Sequence, residues 1–247
     1  MKLFSAGIIA AASAQMGDMD MGGMMAQFMP MVEAKYNSLD HEQMHRDFME
    51  DNTGLFERYF EFCDIGGDGV LTPEDDLACR EKAINLIQSR IPFPLDDIGA
   101  MGLPIDQASA VTEMIFEKFI DLNHDGSTTL EELQMGAYCL LRTAAQLGLQ
   151  FMGDQNAELP RSMFPDFDEM SEQALEAINS EEAQVYFRGH QGLYQKLQRT
   201  LSTRKIRKVF KSADIDGNNA YNDRELVKLL FLVGEKAVEL VEMYLGN

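Results

Sequence analysis

The stretch Asp121-Leu122-Asn123-His124-Asp125-Gly126-Ser127-Thr128-Thr129-Leu130-Glu131-Glu132 decides how this chain is read. Side-chain oxygens stand at its first, third and fifth positions, a glycine at the sixth, and an acid at the twelfth. The glycine suits a sharp left-handed bend. Helices are expected on either side, near 105–120 and 130–151, from apolar residues recurring every three or four positions. The arrangement recurs at Asp64-Ile65-Gly66-Gly67-Asp68-Gly69-Val70-Leu71-Thr72-Pro73-Glu74-Asp75. It recurs again at Asp214-Ile215-Asp216-Gly217-Asn218-Asn219-Ala220-Tyr221-Asn222-Asp223-Arg224-Glu225. No alternating strand pattern of useful length is present, so the fold class expected is all-α.

Three acidic loops, each between helices, resemble the EF-hand superfamily and its loop pattern D-x-[DN]-x-[DN]-G-x5-E. The resemblance covers roughly residues 48–150 and 200–245. It implies helix–loop–helix repeats in two lobes, with short β pairing between loops only. It also implies Ca2+ as the cofactor, an ion that takes six to eight oxygens from a loop of this kind. In the middle loop the ligands implied are Asp121, Asn123, Asp125, the Ser127 carbonyl and Glu132, with Thr129 holding a bridging water. His124 is a non-ligand, and Thr128 stands where an aliphatic residue is usual. In the third loop they are Asp214, Asp216, Asn218, the Ala220 carbonyl and Glu225, with Asn222 acting through water. Asn219 replaces the bend glycine there, a substitution that Asn tolerates best. The first loop departs further. Asp64, Asp68, the Val70 carbonyl, Thr72 and Asp75 fit, but Gly66 offers no side-chain ligand and Asp75 is a methylene shorter than Glu. Two sites and a weaker third are expected, the third having a purely structural helix–turn–helix as its alternative.

The charge balance suits cations. With 21 Lys and Arg against 41 Asp and Glu, the net charge of −20 disfavours nucleic-acid partners. Lys2, the apolar run Leu3 to Ala14 and the small residues Ala12-Ser13-Ala14 read as a signal peptide over 1–14, cleaved before Gln15. The chain ends Tyr244-Leu245-Gly246-Asn247 without an ER-retrieval signal, and no run is long enough for a transmembrane segment. Localisation is therefore expected to be secreted or in the secretory lumen. Residues 15–38, with seven methionines between Met16 and Met31, are expected as a disordered tail. Next come a loop pair over 39–152, a Pro-containing acidic linker over 153–170, and a C-terminal helical lobe over 171–247. Within these, a helix starts near Pro73, a loop covers 92–104, and helices lie near 171–200 (with a break), 203–213 and 223–245. A degenerate partner for the third loop is sought around Phe164 to Leu175, without metal.

Other constellations compete with this reading. His41-Glu42-Gln43-Met44-His45 matches the H-E-x-x-H pattern of zinc proteases, but lacks a third ligand and a protease context. A solvated helix face is the ordinary alternative, with incidental zinc or copper binding between the two. The methionine cluster suits Cu(I) as soft thioethers do, or is simply a flexible tail. Residues 186–213 carry eight Lys and Arg and no Asp or Glu. They suit core packing, a protein partner, an anionic surface, or docking within the same molecule. Cys63 and Cys79 are expected to face one core, as free buried thiols by default and a disulfide otherwise; Cys139 is the third cysteine. The function expected is calcium ion binding in a structural or buffering role, without enzymatic activity. A calcium sensor that docks a partner or its own basic helix is the alternative, and a zinc metalloprotease the minor one.

Overall fold

Short polar residues (Asp40, Thr129, Asp166 and Ser180) cap four of the helices, and apolar stripes decide which way each one faces. The computed structural model describes residues 21–72, 74–76, 78, 79, 81, 82, 85, 114–152 and 158–245. The expected signal peptide, residues 15–20, the 92–104 loop and the start near Pro73 lie outside them. Helix α1 spans Met21–Asn37, α2 His41–Asp51 and α3 Leu55–Cys63. Asp40 caps α2 by accepting the Gln43 amide at 3.0 Å. A π-helical turn, Phe116–Ile120, precedes strand β2 (Thr128–Thr129) and helix α4 (Leu130–Phe151). After β3 (Leu159–Pro160) come α5 (Phe167–Asn179), α6 (Glu181–Phe187), α7 (Gln191–Thr200) and α8 (Thr203–Ala213). Strand β4 (Ala220–Tyr221) leads into α9 (Asp223–Leu245). The fold is all-α with two short antiparallel pairs.

Those pairs join the acidic loops to partners. Strand β1, Val70–Leu71, sets Val70 opposite Thr129 and Leu71 opposite Thr128, so loops 64–75 and 121–132 stand back to back. Thr128 is fully buried there, and its hydroxyl has no hydrogen-bond partner among the described residues. An aliphatic residue would avoid that penalty. In the second pair Leu159 faces Tyr221 and Pro160 faces Ala220. The third loop's partner is thus residues 159–160, inside the segment expected as a linker and just before the region searched for it. Phe164, Phe167 and Met170, from that region, pack against the core beneath the loop instead.

Two further expectations fail. Residues 21–37 are helical rather than disordered, because Met29, Val32 and Tyr36 fall on one stripe that packs into the main core. Methionine is also a good helix former. Tyr36 anchors the end of α1 by donating its hydroxyl to the Phe119 carbonyl at 3.3 Å. Cys63 and Cys79 form a disulfide, not two free thiols; the first acidic loop turns the chain back so that their Cα atoms lie 4.8 Å apart. Cys139 is a free, buried cysteine.

The main core gathers side chains from α1, α2, α3, α4 and α9, among them Phe48, Phe56, Leu133, Tyr138 and Phe231. A smaller core holds Phe210, Ala213, Tyr221 and Leu229. Helix α9 serves both: Val227 and Phe231 enter the first, Leu229 the second. Basic helices α7 and α8 both pack against α9, and α8 also against α5. Between α2, α4 and α9 lies a buried ionic network. Arg142 donates to Asp47 at 3.0 Å and also pairs with Asp223. Arg224 reaches Asp51 at 2.7 Å and Asp47 at 2.9 Å, and Lys228 reaches Asp51 at 3.2 Å. Tyr138 donates its hydroxyl to Asp51 at 3.3 Å. The network starts on the first turn of α9, beside Glu225.

Candidate metal centre

Each acidic loop bends through two left-handed residues, its fourth and its sixth. These are Gly67 and Gly69, His124 and Gly126, and Gly217 and Asn219, with φ between 57° and 84°. The bend turns backbone amides inward, where they meet the first acid. Asp64 accepts Gly67, Asp68 and Gly69 amides; Asp121 accepts those of Asp125 and Gly126; Asp214 accepts those of Gly217 and Asn219. The sixth-position bend was legible in the sequence. The fourth was missed, though Gly67 and Gly217 were its signal.

The ninth and twelfth positions close each loop with reciprocal bonds, which in the second and third loops also start the following helix. Thr72 and Asp75, Thr129 and Glu132, and Asn222 and Glu225 each exchange a side-chain-to-backbone pair. Glu225 goes further. Its Oε1 accepts the Ile215 amide at 2.6 Å and its Oε2 the Asn222 amide at 3.1 Å, so the carboxylate spans the loop. It is fully buried. Asp214, Asp216 and Glu225 each bring a carboxylate oxygen within 4.8 Å of the others. Among the described residues no other group of three His, Cys, Asp or Glu converges so closely.

No family model, curated protein or solved structure matches this chain.

Loop 214–225 therefore rests on its own geometry. Asn218 is turned so that its amide nitrogen faces Asp216 at 3.1 Å and Glu158 at 3.3 Å, while its oxygen accepts the Ala220 amide at 2.6 Å. Glu158 stands beside β3 and adds a fourth acid at the rim; nothing in its sequence context signalled this. Ala220 lies in β4, Val70 in β1, and Ser127 just ahead of β2. In loop 121–132 the Glu132 carboxylate turns to the Thr129 hydroxyl at 2.8 Å and amide at 2.9 Å. Asn123 accepts the Asp125 amide at 2.8 Å, and Asp125 accepts from the Ser127 hydroxyl at 2.7 Å. Asp121, Asp125 and Glu132 are not drawn together as the trio of the third loop is. In loop 64–75 the short Asp75 reaches the Gly66 amide only at 3.4 Å, and Gly66 brings no side-chain oxygen.

Hydrogen bonding favours the ionised form of two of these acids, Asp125 and Asp75. The Ser127 hydroxyl, and then its amide, hold the Asp125 carboxyl below the usual carboxylate range. Thr72 does the same for Asp75, through its hydroxyl first. Anionic oxygens arranged in advance suit a hard cation. The H-E-x-x-H segment is built otherwise. His41 and His45 face sulfur atoms on α4, and Glu42 pairs with Arg46 at 3.8 Å. The sequence also gave one usable signal for the buried network: Asp47 and Asp51 share the stripe of Met44 and Phe48, with spacings of three and four.

Proposed function

We propose that this protein binds Ca2+ through loops of the EF-hand type, with Asp214, Asp216, Asn218, the Ala220 carbonyl and Glu225 as its best-formed site. The observation that carries this reading is the convergence of Asp214, Asp216 and Glu225, closed by a buried acid that reaches across the loop. Loop 121–132 is the second site, where both capping bonds fall on Glu132 Oε2 and Oε1 is the oxygen to meet the ion. Loop 64–75 is the third and weakest.

The role is structural or buffering. Helix α9 shares its apolar residues between two cores, and Arg224 and Arg142 tie its first turn to buried acids on α2. Opening a groove for a partner would break those contacts, which disfavours the sensor reading. The basic segment 186–213 is proposed to dock within the molecule, its helices lying against α5 and α9. The Cys63–Cys79 disulfide supports a secretory compartment, since such bonds persist in oxidising surroundings. There calcium is plentiful, and sites of about 10⁻⁴–10⁻³ M affinity suffice.

Thermal unfolding with calcium or with a chelator tests the role. At calcium well above Kd, the melting temperature should rise by about 3–10 °C, with no gain in hydrophobic-dye binding. A large gain in dye binding would mean that calcium opens the molecule, and the sensor reading would replace this one.

A further inference from the structure

The basic segment divides between the interior and the surface. On α8, Ile206, Val209, Phe210 and Ala213 turn into the smaller core. Arg204, Lys205, Lys208 and Lys211 fall on the opposite side of the helix and are exposed. Arg199, in the last turn of α7, is exposed as well. Some of the segment's charge is used within the molecule, as where Arg207 lies over the Phe167 ring at 5.4 Å. Arg199, Arg204, Lys205, Lys208 and Lys211 are different. Among the described residues none of them forms an ion pair with an acid, in a chain whose net charge is −20.

Where α7 meets α8 the surface is concave. A cavity of about 540 Å3 there is lined by Arg199, Arg204 and Lys205, together with Gln195, Gln198 and Ser202. Three cations thus border one opening that also offers amide and hydroxyl donors. Stability alone would arrange this corner otherwise. The positive end of a helix dipole favours acids in the first turn, yet α8 has none there and carries Arg204 and Lys205 instead. Ser202 stands at the N-cap without capping, since its hydroxyl donates to the Arg199 carbonyl at 2.7 Å. An anionic partner would offset the repulsion.

We propose that this face binds a sulfated glycan, whose sulfate groups pair with Arg199, Arg204, Lys205, Lys208 and Lys211. Arg presents a fork of donors to an oxyanion, and Lys a mobile point charge. From Arg204 to Lys211 the cations run roughly 10 Å along α8, and Arg199 continues them across the corner. A linear polyanion matches such a strip. A flat anionic membrane does not, because α5 packs against α8 and exposes Asp168, Glu169, Glu172 and Glu176. Nor is any large apolar side chain exposed between residues 188 and 213 to enter a bilayer. A rigid duplex reaching beyond the strip would meet the same acids. Single-stranded nucleic acid needs aromatic platforms, and no aromatic ring is exposed over 188–213. None of the five cations is a calcium ligand in the reading above, so the face is separable from the acidic loops.

The test is a titration of the full chain with a fluorescent heparin oligosaccharide, at fixed calcium and about 0.15 M salt. The oligosaccharide should bind, and its affinity should fall steeply as salt rises. Its desulfated form should not bind. Arg204→Gln together with Lys208→Gln should weaken binding about tenfold or more. Both side chains are exposed, so this variant should keep its urea midpoint or gain slightly, a cation having left the first turn of α8. Arg46→Gln together with Lys118→Gln makes the same charge change on other exposed elements and should leave binding unchanged. Absence of heparin binding would overturn the proposal. So would undiminished binding of the desulfated form or by the α8 variant, or an equal loss in the Arg46 and Lys118 variant. Phosphatidylserine vesicles or duplex DNA binding as tightly as heparin would overturn the choice of partner.

Discussion

Glu225 is the residue on which the best-formed loop turns. A fully buried carboxylate is costly unless its oxygens are occupied, and here the amides of Ile215 and Asn222 occupy both. Oε1 also accepts the Asp216 amide at 3.4 Å, whereas Oε2 accepts only the Asn222 amide and keeps a further lone pair for an ion. Cys139 is the contrasting case, a buried group kept neutral. Its thiol would titrate near 8.5 in the unfolded chain, while burial pushes it up to about 11 in the folded one. Below the lower value both states hold the proton and the contribution to stability is complete. As pH rises toward about 11 the unfolded chain loses its proton first, so that contribution is lost. The stability difference between the native chain and Cys139→Ala, measured by urea unfolding, should be flat from pH 6 to 8. It should then shift against the native chain on going to about pH 11.

At the scale of elements, α4 depends on a close approach. A Cβ on Gly136 would meet Ile120 Cα at 2.8 Å and come closer still to the Phe119 carbonyl oxygen, so the helix would have to move off the π-helical turn. Gly136→Ala should cost about 1–3 kcal/mol or more, lowering the urea midpoint. Gly148→Ala, in the same helix with nothing within 4 Å, should be neutral or stabilise by about 0.5–1 kcal/mol. The disulfide acts on another element. It closes a loop of 16 residues around the first acidic bend, so reducing it should cost about 3 kcal/mol. Hydrogen exchange should rise most over residues 64–79. Elements set by local spacing were legible in the sequence: helices expected at 130–151, 203–213 and 223–245 are Leu130–Phe151, Thr203–Ala213 and Asp223–Leu245. Helix α1 was hidden because its methionines read as composition, whereas its stripe of Met29, Val32 and Tyr36 matters only once α4 supplies a surface. The disulfide was hidden for a similar reason, since spacing could not say how sharply the loop returns.

At the scale of the molecule, the ionic network ties the third loop to the main core. Arg224 follows Asp223 and precedes Glu225, yet its guanidinium lies against Asp47 and Asp51 on α2. Removing Arg224 leaves Asp47 to Arg142 and Asp51 to Lys228, so each buried acid keeps one cation and loses the other. Arg224→Ala should therefore destabilise the fold by about 1–3 kcal/mol, and a double-mutant cycle with Asp51→Asn should recover part of that loss. Beyond the buried stripe that Asp47 and Asp51 share with Met44 and Phe48, no sequence pattern joined this network to its partners, which are separated by 173 or more residues on the Arg224 side. The loops were legible since each is contiguous; how they are joined was not. The most direct test of the account is calorimetric calcium titration of the whole chain beside Glu225→Gln. The account predicts calcium uptake at or below millimolar concentration, with one site weakened about tenfold or more in the variant. No uptake at millimolar calcium, or identical titrations of the two proteins, would contradict it.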